Sequence, residues 1–127
     1  MIVHQSPTPT ADPQAVKQAL EALDRPAALS LNPLTKLAVM DQHGTASELR
    51  ELLLDVIGEL ADSGPSSDRE SGRLLRDYYV KKAGSHEVIM ARLHLSRPTY
   101  YRRLNRAYVL VAQHFDRASD FAVLFQL

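Results

Sequence analysis

The chain has 127 residues with 15 basic and 15 acidic side chains, so its formal net charge at neutral pH is zero. It contains no cysteine, which excludes disulfides, thiolate metal sites, iron–sulfur clusters and cysteine nucleophiles, and suits a reducing cytosol. No apolar run approaches the ~18 residues of a membrane span. Residues 1–10 have neither the basic nor the apolar region of a secretory signal. We therefore expect a cytoplasmic protein without membrane contact.

The charges are distributed unevenly along the chain. Residues 1–68 hold four basic and ten acidic side chains, a net charge of −6. Residues 69–106 hold ten basic and three acidic side chains, a net charge of +7. Such asymmetry favours contact with nucleic acid, although two oppositely charged surfaces docked on each other would explain it equally well.

The N-terminal part of the sequence carries signals for an arm and two helices. Residues 1–11 contain two prolines among serines and threonines and predict a flexible arm. Asp12 followed by proline predicts a helix start, and Arg25-Pro26 closes that segment. Asn32 followed by proline predicts a second, short helix, and residues 41–44 predict a turn.

A longer amphipathic helix is predicted from Thr45, which forms a capping-box pattern with Glu48. One face of this helix is acidic, and we interpret it as a solvated surface rather than a site. The apolar stripe consists of Leu49, Leu52, Leu53, Val56, Ile57 and Leu60, and the acidic stripe of Glu48, Glu51, Asp55 and Glu59. Residues 12–62 are thus predicted to form an acidic helical lobe for dimerisation or partner contact.

Residues 63–68 are predicted to be a linker because they combine serine, glycine, proline and aspartate. Ser67 with Glu70 resembles a second capping box, and the helix that follows is predicted to end at Gly84. No β alternation persists and no internal repeat is visible. The sequence therefore predicts an all-α protein, a bundle of about six helices.

Residues 85–114 predict a helix-turn-helix. A short helix capped by Ser85 is followed by a turn at His94-Leu95 and by a helix capped by Ser96, which extends to about Phe115. On a helical wheel the apolar face holds Tyr100, Leu104, Ala107, Tyr108, Val111 and Phe115. The opposite face holds Pro98, Thr99, Arg102, Asn105 and Arg106, with Arg97, Tyr101 and Arg103 on its flanks. Such side chains read base edges and bind phosphates.

Residues 87–107 read EVIMARLHLSRPTYYRRLNRA. This run resembles the helix-turn-helix of the fourth region of bacterial sigma factors, as found in bacterial transcriptional regulators. His94 stands where that family usually has glycine, Met90 where it has alanine, and Tyr100 where it has a small β-branched residue. The resemblance implies a domain over residues 69–115 with base or phosphate contacts from Arg97, Thr99, Tyr101, Arg102 and Arg103.

Motifs for other functions are missing from the sequence. The five histidines show no spacing that would place two on one helical face for a metal ion, and no Gly-rich phosphate loop or nucleophile motif occurs. We expect no enzyme activity, no catalytic residues, no cofactor and no metal site. The apolar segment 116–127 is predicted to be a tail that packs back on the domain or mediates dimerisation.

The favoured hypothesis is a DNA-binding transcriptional regulator, or the DNA-binding module of a longer one, which inserts a basic recognition helix into the major groove of double-stranded DNA. Arg97 and Arg102 would contact bases, while Thr99, Arg103 and Arg106 would hold phosphates. Further candidate partners are a second copy of the chain, in a homodimer, and another protein bound to the acidic lobe. The alternative is a helical adaptor that docks a protein such as RNA polymerase and reads no DNA.

Overall fold

A computed structural model describes residues 10–40 and 44–125, and this part of the chain is all-helical, as the sequence predicts. Its α-helices are α1 (Pro13–Glu21), α2 (Pro26–Ser30), α3 (Ala46–Ser63), α4 (Ser66–Leu75), α5 (His86–Arg92) and α6 (Arg97–Phe125). Two 3₁₀ turns, Pro33–Lys36 and Ala38–Met40, lie between α2 and α3. A π-helical turn, Arg76–Val80, continues α4.

Four predicted helix starts are confirmed by side-chain caps, those of α1 and α3 and, as described below, those of α5 and α6. Asp12 Oδ1 accepts a hydrogen bond from the Gln14 amide at 3.0 Å, with Pro13 in the first helical position. Thr45 Oγ1 accepts from the Glu48 amide at 3.1 Å. Each cap satisfies an amide that has no partner inside its helix, so the residue types alone were sufficient to locate these starts. Ser85, discussed below, caps α5 in the same way.

The boundary between α3 and α4 differs from the prediction. Within the predicted linker 63–68, Gly64 and Pro65 alone lie between the two helices. Pro65 takes the N-cap position of α4 without a side-chain cap, so the prediction that Ser67 caps this helix is wrong. The restricted φ of proline suits the start of a helix, and α4 begins at Ser66, two residues before the start that a cap at Ser67 predicts.

The end of α4 also differs from the prediction, which placed it at Gly84. The chain widens into the π-helical turn, where the Lys81 amide donates to the Arg76 carbonyl at 2.8 Å, and the helix ends at Val80. Lys82 then takes a left-handed conformation with φ 51°, while Gly84, with φ 143°, lies in the following loop. The widened turn buries Tyr79, whose hydroxyl lies 2.6 Å from the hydroxyl of Tyr108.

Between α1 and α3 the chain forms shorter turns than predicted. The helix expected after Asn32 is a 3₁₀ turn, and α2 starts at Pro26, where the sequence predicted the close of the preceding segment. Asn32 is buried and fully engaged: its Nδ2 donates to the Ala15 carbonyl at 2.9 Å, and its Oδ1 accepts from the Leu34 amide at 2.9 Å. The turn predicted at 41–44 falls mainly outside the described residues.

The last helix, α6, extends ten residues beyond Phe115, so the predicted tail 116–127 is helical as far as it is described. Asp116 Oδ1 accepts from the Ala11 amide at 2.6 Å, and Ser119 Oγ accepts from the Val39 amide at 3.3 Å. These bonds attach Ala11, close before α1, and the second 3₁₀ turn to α6. Ala11 is therefore buried and bonded rather than part of a flexible arm, while residues 1–9 of that arm lie outside the described residues.

One hydrophobic cluster contains buried side chains from the acidic and the basic segment alike. It includes Val16 and Leu20 of α1, Leu53 of α3, Leu74 of α4 and Phe115 of α6. The two segments therefore share a core within the described part of the chain, and α6 packs against α1, α3 and α4. The N-terminal turns of this helix are consequently held on a rigid support.

Candidate nucleic-acid interface

The turn between α5 and α6 is defined by two serine caps. Ser85 Oγ accepts from the Val88 amide at 3.2 Å and starts α5. Ser96 Oγ accepts from the Thr99 amide at 3.3 Å and starts α6. Between the helices, His94 takes the left-handed conformation with φ 56°, at the position where the sigma-factor motif has glycine.

An aromatic cluster fixes the start of α6 against α5 and the π-helical turn. Tyr100 is fully buried, and its hydroxyl lies 2.7 Å from Nδ1 of His86, the first residue of α5. The His86 ring stacks on Tyr78, with 3.8 Å between centroids and 7° between planes. Tyr101 packs edge-on against Tyr100 at 5.2 Å. The N-terminal turns of α6 are thereby positioned by side chains from three elements.

Burial in this cluster changes the pKa values of its polar members in ways that keep them neutral. Burial raises the pKa of Tyr100 to about 12, so its hydroxyl keeps its proton at physiological pH. Burial lowers the pKa of His86, against a smaller opposing effect of Glu87. The hydrogen bond between the two side chains therefore joins neutral groups.

The predicted contact residues of α6 divide into an exposed and a half-buried set. The exposed set consists of Arg97, Arg102, Asn105 and Arg106. The half-buried set consists of Thr99, Tyr101 and Arg103. All seven lie within the first ten residues of α6, so the structure brings the predicted site residues together on one stretch of helix.

The arginines of this surface have different partners. The Arg102 guanidinium donates to Thr99 Oγ1 at 3.2 Å, which itself lies 3.0 Å from Ser96 Oγ. Arg97 lies over the Tyr101 ring, 5.9 Å from its centroid. Arg97, Arg103 and Arg106 each have a carboxylate within 4 Å, whereas within residues 10–40 and 44–125 no ion pair involves Arg102.

Sequence reasoning missed those carboxylates, which come from Asp68, Glu70 and Glu87 on α4 and α5. It also missed the stacking of His86 on Tyr78, because the π-helical turn that aligns the two rings has no recognisable sequence signature. The pairs of α4 and α6 join residues more than thirty positions apart. A helical wheel of either helix alone could not reveal them.

An open groove of 570 Å³ lies between the end of α1 and the π-helical turn. Two of its charged lining residues, Lys82 and Asp24, form an ion pair with each other. Within the described ranges no three His, Asp or Glu side chains come together as a metal site. Over the same ranges, no helix combines the length and the apolarity that crossing a membrane requires.

Comparison with family models, with curated proteins and with solved structures finds no match for this chain. The function must therefore be inferred from the residues of the site and their geometry.

Proposed function

We propose that the chain is a DNA-binding transcriptional regulator, or the DNA-binding module of a larger one, which inserts the N-terminal turns of α6 into the major groove. The observation that carries the proposal is the exposed face of arginine and asparagine at the capped start of a helix whose opposite face is anchored by buried Tyr100. A rigidly held helix start with exposed donors is the geometry of a recognition helix.

The exposed side chains match the chemistry of base edges. Arginine binds the two major-groove acceptors of guanine, and asparagine binds the acceptor and donor of adenine. In this proposal Arg97 and Arg102 contact bases. Asn105 can contact a base as well, because all three side chains are exposed on the first turns of α6. Half-buried Tyr101 would pack on a sugar or a thymine methyl group.

Phosphate contacts would come from Thr99, Arg103 and Arg106, of which the two arginines pair with carboxylates of α4. The net charge of +7 on residues 69–106 supplies the sequence-independent attraction that such contacts need. Together, the two sets divide the surface into base-reading and backbone-binding parts.

Selection from a pool of random duplexes, with sequencing of the bound fraction, tests this function. We expect an enriched motif, and a palindrome in it would reveal a dimer and its half-site spacing. Arg102→Ala should relax the preference at one base position and weaken binding by about 1–3 kcal/mol. Arg50→Ala is the matched control, because Arg50 is an exposed arginine on α3. An unchanged profile for Arg102→Ala would contradict the assignment.

The second candidate is a helical adaptor that docks an acidic protein surface, such as one on RNA polymerase, without reading DNA. One observation favours it: three arginines of the surface already pair with carboxylates of the chain itself. An adaptor would bind its partner saturably, and duplex DNA would not compete. Competition by DNA therefore distinguishes the two candidates.

A further inference from the structure

Carboxylates border the basic surface of α6 on the side of α4. Arg106 Nη2 lies 3.1 Å from Asp68 Oδ1, and Arg103 Nη2 lies 3.4 Å from Glu70 Oε2. Both arginines belong to the group assigned to phosphates above. Two of the groups that would bind the DNA backbone therefore already hold an anion from the same chain.

The two members of the Asp68–Arg106 pair differ in exposure. The Asp68 side chain is 16% exposed and that of Arg106 is 55% exposed. Asp68 lies in the first turn of α4, where the helix dipole stabilises a negative charge. The carboxylate is thus part of the folded surface, while the arginine remains accessible to another anion.

Both pairs leave the guanidinium at least partly exposed, so a DNA phosphate can compete with the carboxylate for it. Where a phosphate replaces the carboxylate, one anion is exchanged for another, so the contact contributes less binding free energy than one made by an unpaired arginine. Arg102 has no such competitor among the described residues, since its recorded partner is the hydroxyl of Thr99. The carboxylates of α4 therefore weaken the phosphate contacts and leave Arg102 free to contact bases, while Glu87 on α5 competes in the same way for Arg97.

We propose that Asp68 and Glu70 limit the affinity of this surface for DNA, because they compete with DNA phosphates for Arg106 and Arg103. The inference rests on the function proposed above. Phosphate contacts are independent of sequence, so reducing them lowers the affinity for all DNA, whereas base contacts supply the difference between sites. The acidic edge of α4 therefore lowers the affinity for duplex DNA of any sequence and leaves the preference between sequences to the base contacts.

The double variant Asp68→Asn, Glu70→Gln tests the proposal, because both changes keep the side-chain size and remove the charge. The matched control is Glu51→Gln, Asp55→Asn, which makes the same charge change on the exposed face of α3. Circular dichroism of each variant checks that the helical content is unchanged. The probe is a mixed-sequence duplex, titrated at several salt concentrations.

The double variant on α4 should bind this probe more tightly than either wild type or the control variant. Its plot of log affinity against log salt should be steeper than that of wild type by about 0.9 for each arginine that its carboxylate keeps away from DNA phosphate in wild type. Over the range from about 50 to 200 mM salt, release of both arginines should then reduce its advantage over wild type roughly tenfold. In the random-duplex selection, the same variant should enrich the same motif as wild type, because the base contacts are unchanged.

The possible outcomes separate this inference from the function on which it rests. If wild type binds DNA and the α4 variant behaves like the α3 control, the inference is wrong and the proposed function stands. If wild type does not bind but the α4 variant does, the competition is supported. If no version binds at low salt, both proposals fail.

Discussion

His94 has a backbone conformation that glycine would adopt at a lower cost in free energy. Its φ of 56° lies in the left-handed region, where a Cβ atom crowds the following carbonyl oxygen. The side chain is exposed, so its removal sacrifices no buried contact. The residue therefore stores a small strain in the turn that orients α5 against α6.

His94→Gly should raise the free energy of unfolding by up to about 1 kcal/mol, because relief of the strain outweighs the added freedom of the unfolded chain. His94→Val should lower it, since a β-branched side chain tolerates this conformation poorly. Urea denaturation of both variants measures the difference. A less stable glycine variant would show that the turn does not have the conformation described.

At the scale of elements, Gly72 sets the distance between α3 and α4. A Cβ atom at this position would lie 2.6 Å from the Ala61 backbone nitrogen and 2.9 Å from the Leu60 carbonyl carbon. Both neighbours are backbone atoms of a helix, which cannot move aside as a flexible side chain could. The helices α3 and α4 can therefore approach this closely only because residue 72 is a glycine.

Gly72→Ala should lower the free energy of unfolding by about 1–3 kcal/mol through this overlap. Gly58, inside α3, provides the matched control, because a Cβ atom there meets nothing within 4 Å. Gly58→Ala should raise stability by about 0.5–1 kcal/mol through the higher helix propensity of alanine. Thermal or urea unfolding of the pair checks both signs, and destabilisation by both would contradict the packing account.

The sequence was sufficient for those elements whose start depends on local chemistry. Asp12, Thr45, Ser85 and Ser96 are caps, and a cap is a contact between a side chain and an amide two or three residues away. The all-α class followed from the helical spacing of apolar residues. The buried positions of Tyr100 and the exposure of Arg102 followed from the same periodicity.

Features that depend on tertiary packing could not be predicted in this way. The π-helical turn at 76–80 exists because it buries Tyr79 against Tyr108, a contact across 29 positions. The extension of α6 to Phe125 is accompanied by bonds that Asp116 and Ser119 accept from the amides of Ala11 and Val39, which lie 105 and 80 positions away. Likewise, the pairing of the α6 arginines with α4 requires knowledge of how two distant helices cross.

At the scale of the whole molecule, two partly buried histidines couple stability to pH. Burial lowers the pKa of His86 below its usual 6.5, and burial together with Arg117 lowers that of His114. As the pH falls through 6.5, the unfolded chain therefore takes up protons that the folded chain does not. Above that pH the two histidines make their full contribution to the free energy of unfolding, and below it this contribution is lost progressively.

The free energy of unfolding should accordingly be lower at about pH 5.5 than at about pH 7.5, and His86→Gln with His114→Gln should reduce the difference. Urea denaturation at the two pH values compares wild type with the double variant. The single variants show how the effect divides between the two histidines. An equal loss in wild type and double variant would assign the pH dependence to other groups.

The central claim is that the exposed face of α6 binds DNA. The most direct test is the salt dependence of binding to a mixed-sequence duplex, measured by fluorescence anisotropy for wild type and Arg102→Ala. If two to four arginines neutralise phosphates, log affinity should fall against log salt with a slope between about −2 and −4. On a duplex that carries the motif enriched in the selection, Arg102→Ala should bind more weakly than Arg50→Ala at every salt concentration. Absence of binding by wild type at about 50 mM salt, or equal affinities of the two variants, would contradict the account.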